Sequence, residues 1–164
     1  MRFPSGKASA PWGREARGHC AIAQLRRTLE LDPHFWAAHW DLGDCYLALG
    51  RNAEAIAELR KAVDLSAGSA GGLAMLGYAY GTTGERAKAE KVLQELNQRG
   101  RSQYVSPADV ATVEFGLGHR DQAFAWLEKA YQDRAIQCHP LLALVIIDAS
   151  VRERHARKTL GRSQ

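Results

Sequence analysis

The sequence repeats itself with a period of 34 residues, and this repeat limits the folds open to the chain more than any other feature. Shifting the sequence by 34 positions aligns small and apolar residues across residues 21–130 without an insertion. The matched sets are Leu42-Gly43 with Leu76-Gly77, Tyr46 with Tyr80, Gly50 with Gly84 and Gly118, Ala55 with Ala21, Ala89 and Ala123, and Leu59 with Leu25, Leu93 and Leu127. A unit of this length cannot bury its apolar face alone, so we expect neighbouring units to stack around one continuous core.

Each unit has the pattern of two helices joined by a tight turn. Leu42, Gly43 and Tyr46 stand at i, i+1 and i+4, which puts them on one side of a helix, and the glycine lets a neighbouring helix approach closely. Gly50 then suits a helix end that needs a positive φ angle. Ala55 and Leu59 are four residues apart and form one face of the second helix.

These residues and their order resemble the tetratricopeptide repeat (TPR), with its pattern aromatic-x2-Leu-Gly-x2-Tyr, Gly, Ala-x3-large, Ala and Pro. The copies are residues 36–69, residues 70–103, and residues 104–137 with a degenerate first helix. They are carried by His39, Leu42, Gly43, Tyr46, Gly50, Ala55, Leu59 and Ala62; by Leu73, Leu76, Gly77, Tyr80, Gly84, Ala89 and Leu93; and by Gly118, Ala123, Leu127 and Ala130. The resemblance implies an all-α fold, a right-handed TPR solenoid of antiparallel helix pairs with about three repeats plus flanking helices.

The third copy carries a further resemblance. The stretch from Tyr104 to Tyr131 looks like the C-terminal TPR regions of certain bacterial multidomain regulators. We therefore expect a bacterial protein. Whether the chain is a fragment of a larger regulator stays open.

The two ends of the chain depart from the repeat. Residues 1–13 contain two prolines and two glycines, so we expect a poorly ordered N-terminal segment. A half repeat follows at 14–35, and residues 138–164 are expected to form a C-terminal capping helix and a basic tail. The predicted helices cover 14–31, 35–49, 52–65, 70–83, 86–99, 107–117, 120–132 and 140–157.

Composition favours a globular cytoplasmic protein. Hydrophobic residues make up 46% and charged residues 24% of the 164 positions, which is ordinary for a folded domain. The longest apolar run, residues 141–147, is far shorter than the roughly 20 residues of a membrane helix. The N-terminus carries no apolar core of a secretory signal. Three widely spaced cysteines, Cys20, Cys45 and Cys138, indicate reduced thiols rather than a disulfide framework.

The charge is unevenly distributed along the chain. Residues 1–30 hold six basic and two acidic residues, and residues 151–164 hold five basic and one acidic. The middle, residues 31–150, holds 11 basic and 15 acidic residues and is therefore net negative. The basic character thus belongs to the two ends, and no uniformly basic surface is expected.

The first helices of successive TPR units line a groove, and the resemblance assigns the candidate binding residues to it. They are Trp40, Asp41, Asp44, Leu47, Met75, Tyr78, Thr82, Asp109, Thr112 and Phe115. Aromatic side chains with acids among them suit a peptide that has apolar anchors and a Lys or Arg. The alternative for Trp40 and Tyr78 is that they pack only between helices. A TPR subclass that grips a C-terminal carboxylate needs cations in the groove, and the corresponding positions here hold none.

Catalytic, metal and nucleotide sites find little support. His19-Cys20 and Cys138-His139, with His34 and His39, are the candidate metal or nucleophile residues, but no CxxC or HExxH spacing occurs. The glycines between Gly68 and Gly84 follow no phosphate-binding pattern. We expect no cofactor, no metal and no enzymatic activity.

The leading interpretation is a non-catalytic scaffold that binds a peptide or partner protein in its groove. The alternative is a nucleic-acid-associated regulatory module that uses its basic termini. One candidate ligand is the chain's own basic tail, residues 152–158, acting in cis or in a neighbouring molecule. No membrane contact is expected.

Overall fold

The computed structural model describes residues 14–133, with side chains from residue 21 onward. The regular elements of residues 14–133 are seven α-helices, which confirms the predicted all-α class. The helices are α1 (Arg14–Leu31), α2 (Trp36–Ala48), α3 (Asn52–Leu65), α4 (Ala70–Thr82), α5 (Arg86–Arg99), α6 (Pro107–Gly116) and α7 (Arg120–Gln132). Their bounds agree with the predicted ones to within one residue. The predicted N-terminal segment 1–13 and helix 140–157 lie outside the described residues.

The turn inside each helix pair is built the same way three times. Gly50, Gly84 and Gly118 have φ angles of 72°, 86° and 80°, which confirms the predicted glycine requirement. The amide that follows each glycine donates back to a carbonyl in the preceding helix, from Arg51 to Tyr46 over 2.8 Å in the first turn. The same bond recurs at 2.8 Å and 2.9 Å in the next two turns. This is the Schellman arrangement that closes a helix C-terminus.

Two other glycines let helices pack closely, as the repeat predicts. A Cβ atom added at Gly43 would lie 2.5 Å from Cγ of Leu59, across the α2–α3 contact. One added at Gly77 would lie 2.9 Å from methyl carbons of both Val92 and Val113. These glycines therefore leave room for the large apolar side chains of the neighbouring helices, which form a continuous core.

The contact between α4 and α6 is closer still, and the repeat pattern does not predict it. A Cβ at Gly81 would overlap the carbonyl group of Gly116, and a Cβ at Gly116 would lie 2.7 Å from Cα of Tyr78. The two helices therefore touch backbone to backbone. In contrast, α2 and α4 make few backbone contacts. A gap between α2 and α4, filled by side chains, is the result.

A tyrosine and an arginine join successive units on another face. Arg26 donates to the hydroxyl of Tyr46 over 2.8 Å, and Arg60 donates to the hydroxyl of Tyr80 over 2.9 Å. Both pairs span 20 residues and stand 34 residues apart, so the contact is part of the repeat. In the third unit, the position equivalent to Tyr46 and Tyr80 holds Glu114, whose side chain is buried.

Candidate functional site

The surface along which α2 faces α4 is the candidate site, and we call it the α2–α4 groove. Trp40, Asp41, Asp44 and Leu47 come from α2, and Tyr78 comes from α4. Trp40 and Leu47 are partly buried against the core cluster that contains most of α4. The α2 side chains, rather than the backbones, therefore bridge the two helices.

Trp40 lies at one end of the α2–α4 groove, where three helices meet. A Cβ added at Gly71 of α4 would lie 3.0 Å from Cη2 of Trp40 and 3.8 Å from Oδ1 of Asp109 in α6. The ring of Trp36 meets that of Trp40 edge to face, with 6.1 Å between the centroids. The indole and the Asp109 carboxyl thus share the space above Gly71, which has no side chain to fill it.

Asp44 is a largely buried carboxyl further along α2. Burial first, and the charge of Asp41 second, raise its pKa from the ordinary value of 3.8 to about 7. The pKa of Tyr78 is also raised, first by burial of the phenol and second by the charge of Asp44. The Asp44 carboxyl is thus near enough to the Tyr78 phenol for its charge to act on it.

Asp109 is the second carboxyl of this kind. Burial raises its pKa to about 6, while a backbone hydrogen bond at Ser106 opposes the shift. Ser106 also caps α6, because its hydroxyl accepts from the amide of Ala108 over 3.3 Å. The cap and Pro107 at the first helical position confirm the predicted start of this helix and hold Asp109 in its first turn.

The remaining predicted groove residues occupy different environments. Met75 and Thr112 are only 5% and 9% exposed, and the Thr112 hydroxyl donates to the Ala108 carbonyl over 2.8 Å. Thr82 is exposed, and its hydroxyl donates to the Tyr78 carbonyl of its own helix over 3.0 Å. Phe115 packs edge to face on Phe124, with 5.5 Å between centroids. The structure therefore groups Trp40, Asp44, Tyr78 and Asp109 and places Met75 and Thr112 in the interior.

A concave surface that the sequence did not indicate lies between α1 and α3, with residues of α2 in its lining. It is a cleft of about 870 Å³, and its lining includes Arg26, Glu58 and Leu65. His39 lies in this cleft, with Nδ1 2.6 Å from Glu58 Oε2 and Nε2 3.1 Å from the Pro33 carbonyl. Burial alone would raise the pKa of Glu58, but the hydrogen bonds from His39 and Lys61 outweigh it, so the pKa is lowered.

This geometry does not support the hypothesis that the histidines bind a metal ion. Both ring nitrogens of His39 face protein oxygens, as described above. Residues 21–133 contain no group of three His, Cys, Asp or Glu side chains that could hold a metal ion. Four of the candidate residues lie outside the residues whose side chains are described, namely His19, Cys20, Cys138 and His139.

The helix pairs and their 34-residue register define a helical-repeat protein. A family model described as "Tetratricopeptide repeat" matches residues 15–70. Together with the helix pairs that continue the same register through α7, this match supports a TPR protein. No curated protein matches the chain. None of the described helices is long and apolar enough to cross a membrane.

TPR units generally mediate contacts between proteins, and members of the family are typically non-catalytic scaffolds. The α2–α4 groove has the residue types for such a contact. Its two aromatic side chains offer large apolar surfaces, and its two carboxyls offer charge in a partly desolvated setting.

Proposed function

We propose that this protein is a non-catalytic scaffold whose α2–α4 groove binds a peptide segment of a partner protein. The segment carries an apolar or aromatic anchor and at least one Lys or Arg. The observation that carries the proposal is the meeting of Trp40 of α2 and Asp109 of α6 over Gly71 of α4. Asp44 lies one turn from Trp40 on α2, and its charge acts on Tyr78 of α4.

The charge of the ligand follows from the two carboxyls. Asp44 and Asp109 are held where ionisation is costly, because burial raises the pKa of each. A cation brought beside them offsets this cost, and the attraction is stronger than in bulk water because the surroundings are less polar. An anionic ligand would increase the cost, so the groove selects against acidic peptides.

The aromatic residues supply the anchor points. The Trp40 indole lies against the bare backbone of Gly71, and the Tyr78 ring is half-buried beside Asp44. Aromatic faces accept both apolar side chains and the planar guanidinium of arginine. Free C-terminal carboxylates are poor candidates because the positions that correspond to the gripping residues of the carboxylate-binding subclass hold no cation; they are Trp40, Asp44, Ala74, Tyr78, Ala108 and Thr112.

A peptide-display selection tests the proposal. We expect wild-type protein to enrich basic peptides with an aromatic or aliphatic anchor. Trp40→Ala should weaken the selected peptides by about 30-fold, the value of a typical buried aromatic anchor at about 2 kcal/mol. Asp44→Asn and Asp109→Asn preserve shape and should relax the preference for Lys and Arg.

Tyr131→Ala is the matched control, because Tyr131 is an exposed aromatic on α7. It should select the same peptides as wild type. Enrichment of acidic peptides, or identical selections from wild type and Trp40→Ala, would refute the groove proposal. A steep loss of affinity with added salt for nucleic acid, but not for peptide, would favour the nucleic-acid alternative instead.

A further inference from the structure

The basic segment 152–158 has the chemistry that the α2–α4 groove is built to receive. It contains Arg152, Arg154, Arg157 and Lys158, with Glu153 as its one acid. The segment lies outside the described residues, so the inference uses its sequence alone. Three of its four cations are arginines, the side chain that best combines an ion pair with stacking on an aromatic ring.

Charge complementarity favours this segment as the occupant. The acidic residues of the groove are Asp41, Asp44 and Asp109. Asp44 acts electrostatically on the Tyr78 phenol. Asp109 and the Trp40 indole both lie close to Gly71. Residues 31–150 carry a net negative charge, whereas residues 151–164 carry five basic residues and one acid. Residues 151–164 are therefore positively charged, whereas the groove residues carry carboxyl groups.

The connecting chain is long enough for docking within one molecule. α7 ends at Gln132 and the described chain at Asp133, so residues 134–151 separate it from the basic segment. A stretch of this length spans about 27 Å even if it were wholly helical, at 1.5 Å per residue, and about twice that if extended. At most five helix spacings of about 10 Å each separate α7 from α2 along the chain of packed helices. The tether therefore reaches the groove when it is extended.

We propose that residues 152–158 occupy the α2–α4 groove in cis and compete there with the partner peptide. This inference rests on the proposed function of the groove. A short tether gives an effective concentration on the order of 1 mM. A segment with a dissociation constant of about 0.1 mM would then fill about 90% of the grooves and weaken an external peptide about tenfold.

The test compares wild type with a full-length variant in which Arg152, Arg154, Arg157 and Lys158 are all changed to Ser. The probe is a fluorescently labelled synthetic peptide of residues 150–160, and binding is followed by anisotropy. We expect the variant to bind this peptide about tenfold more tightly than wild type does. Adding Asp44→Asn and Asp109→Asn to the variant should abolish the gain.

Two matched controls separate specific docking from general attraction. Asp64→Asn with Asp121→Asn removes the same charge from exposed positions of α3 and α7, and it should leave binding unchanged. A scrambled probe of the same composition should bind the variant at least fivefold more weakly. Equal binding of both probes, or equal loss with both pairs of Asp changes, would overturn the proposal.

The outcomes also distinguish this inference from the proposed function. If library peptides bind in a Trp40-dependent way while neutralising the segment changes no affinity, the groove proposal stands and self-occupancy is refuted. If no peptide depends on Trp40, both fail. A wild-type dimer in analytical ultracentrifugation that dissociates in the variant would overturn the cis arrangement and assign the contact to a second copy.

Discussion

Asp44→Asn should stabilise the fold, and the gain should grow with pH. In the folded protein the pKa of Asp44 is about 7, against an ordinary value of 3.8. Between these two values the folded state holds a proton that the unfolded chain has released. Stability therefore falls as pH rises from about 4 to about 7, because the slope of unfolding free energy with pH follows the protons bound in the unfolded state minus those in the folded state.

The size of the effect follows from the same two pKa values. Their difference corresponds to about 4 kcal/mol of unfolding free energy above pH 7. Asn keeps the shape of the protonated carboxyl and a polar group of similar burial cost, so the two proteins should match at pH 4. We therefore expect Asp44→Asn to exceed wild type by about 4 kcal/mol at pH 8.

Urea unfolding at pH 4, 6 and 8 with fixed ionic strength measures this directly. Asp64→Asn removes an exposed carboxylate from α3 and serves as the control, with no pH-dependent difference expected. The variant should at the same time bind basic peptides more weakly, since the destabilising carboxylate is the one that attracts the ligand. Equal stability of Asp44→Asn and wild type at pH 8, or a gain that is largest at pH 4, would refute the assignment of Asp44 as a buried, costly carboxylate.

The glycines give three further predictions, each measured by urea unfolding. Gly43→Leu and Gly77→Leu should each cost about 1–3 kcal/mol or more through overpacking, and losses under about 0.5 kcal/mol would contradict the register. Gly81→Ala should cost about 3 kcal/mol or more, because its Cβ meets backbone rather than a side chain that can rotate away. Gly84→Ala, with open space around its Cβ, should cost only the strain of a positive φ angle, about 1–2 kcal/mol; a cost above that of Gly81→Ala would contradict this ranking.

The repeat was sufficient to predict the helices and their turns because both depend on residues close in sequence. A helix end with a left-handed residue requires Gly50 whatever its neighbours are, and the 34-residue period carries that requirement to Gly84 and Gly118. The close approach at Gly43 and Gly77 was equally predictable, since each forms part of a Leu-Gly-x2-Tyr pattern.

The site was only partly predictable because burial depends on the spacing between helices. Helical periodicity places Met75 and Thr112 on the same side of their helices as the groove residues, yet the structure buries both. Their exposure depends on how tightly α4 and α6 pack, which periodicity does not report. The unusual pKa values of Asp44 and Asp109 arise from desolvation and could not be read from residue types.

The shape of the groove has a cause in the repeat that the sequence does contain. Gly81 and Gly116 let α4 and α6 touch. The residues 34 positions before Gly81 and Gly116 are Leu47 and Thr82, which belong to the α2–α4 contact. Two side chains there prevent the backbones from meeting, so α2 stands away from α4 and Trp40 bridges the space to Gly71. The glycine pair is present at the α4–α6 contact and missing from the α2–α4 contact. For this reason α4 packs backbone to backbone on α6, while the α2–α4 groove forms on its other side.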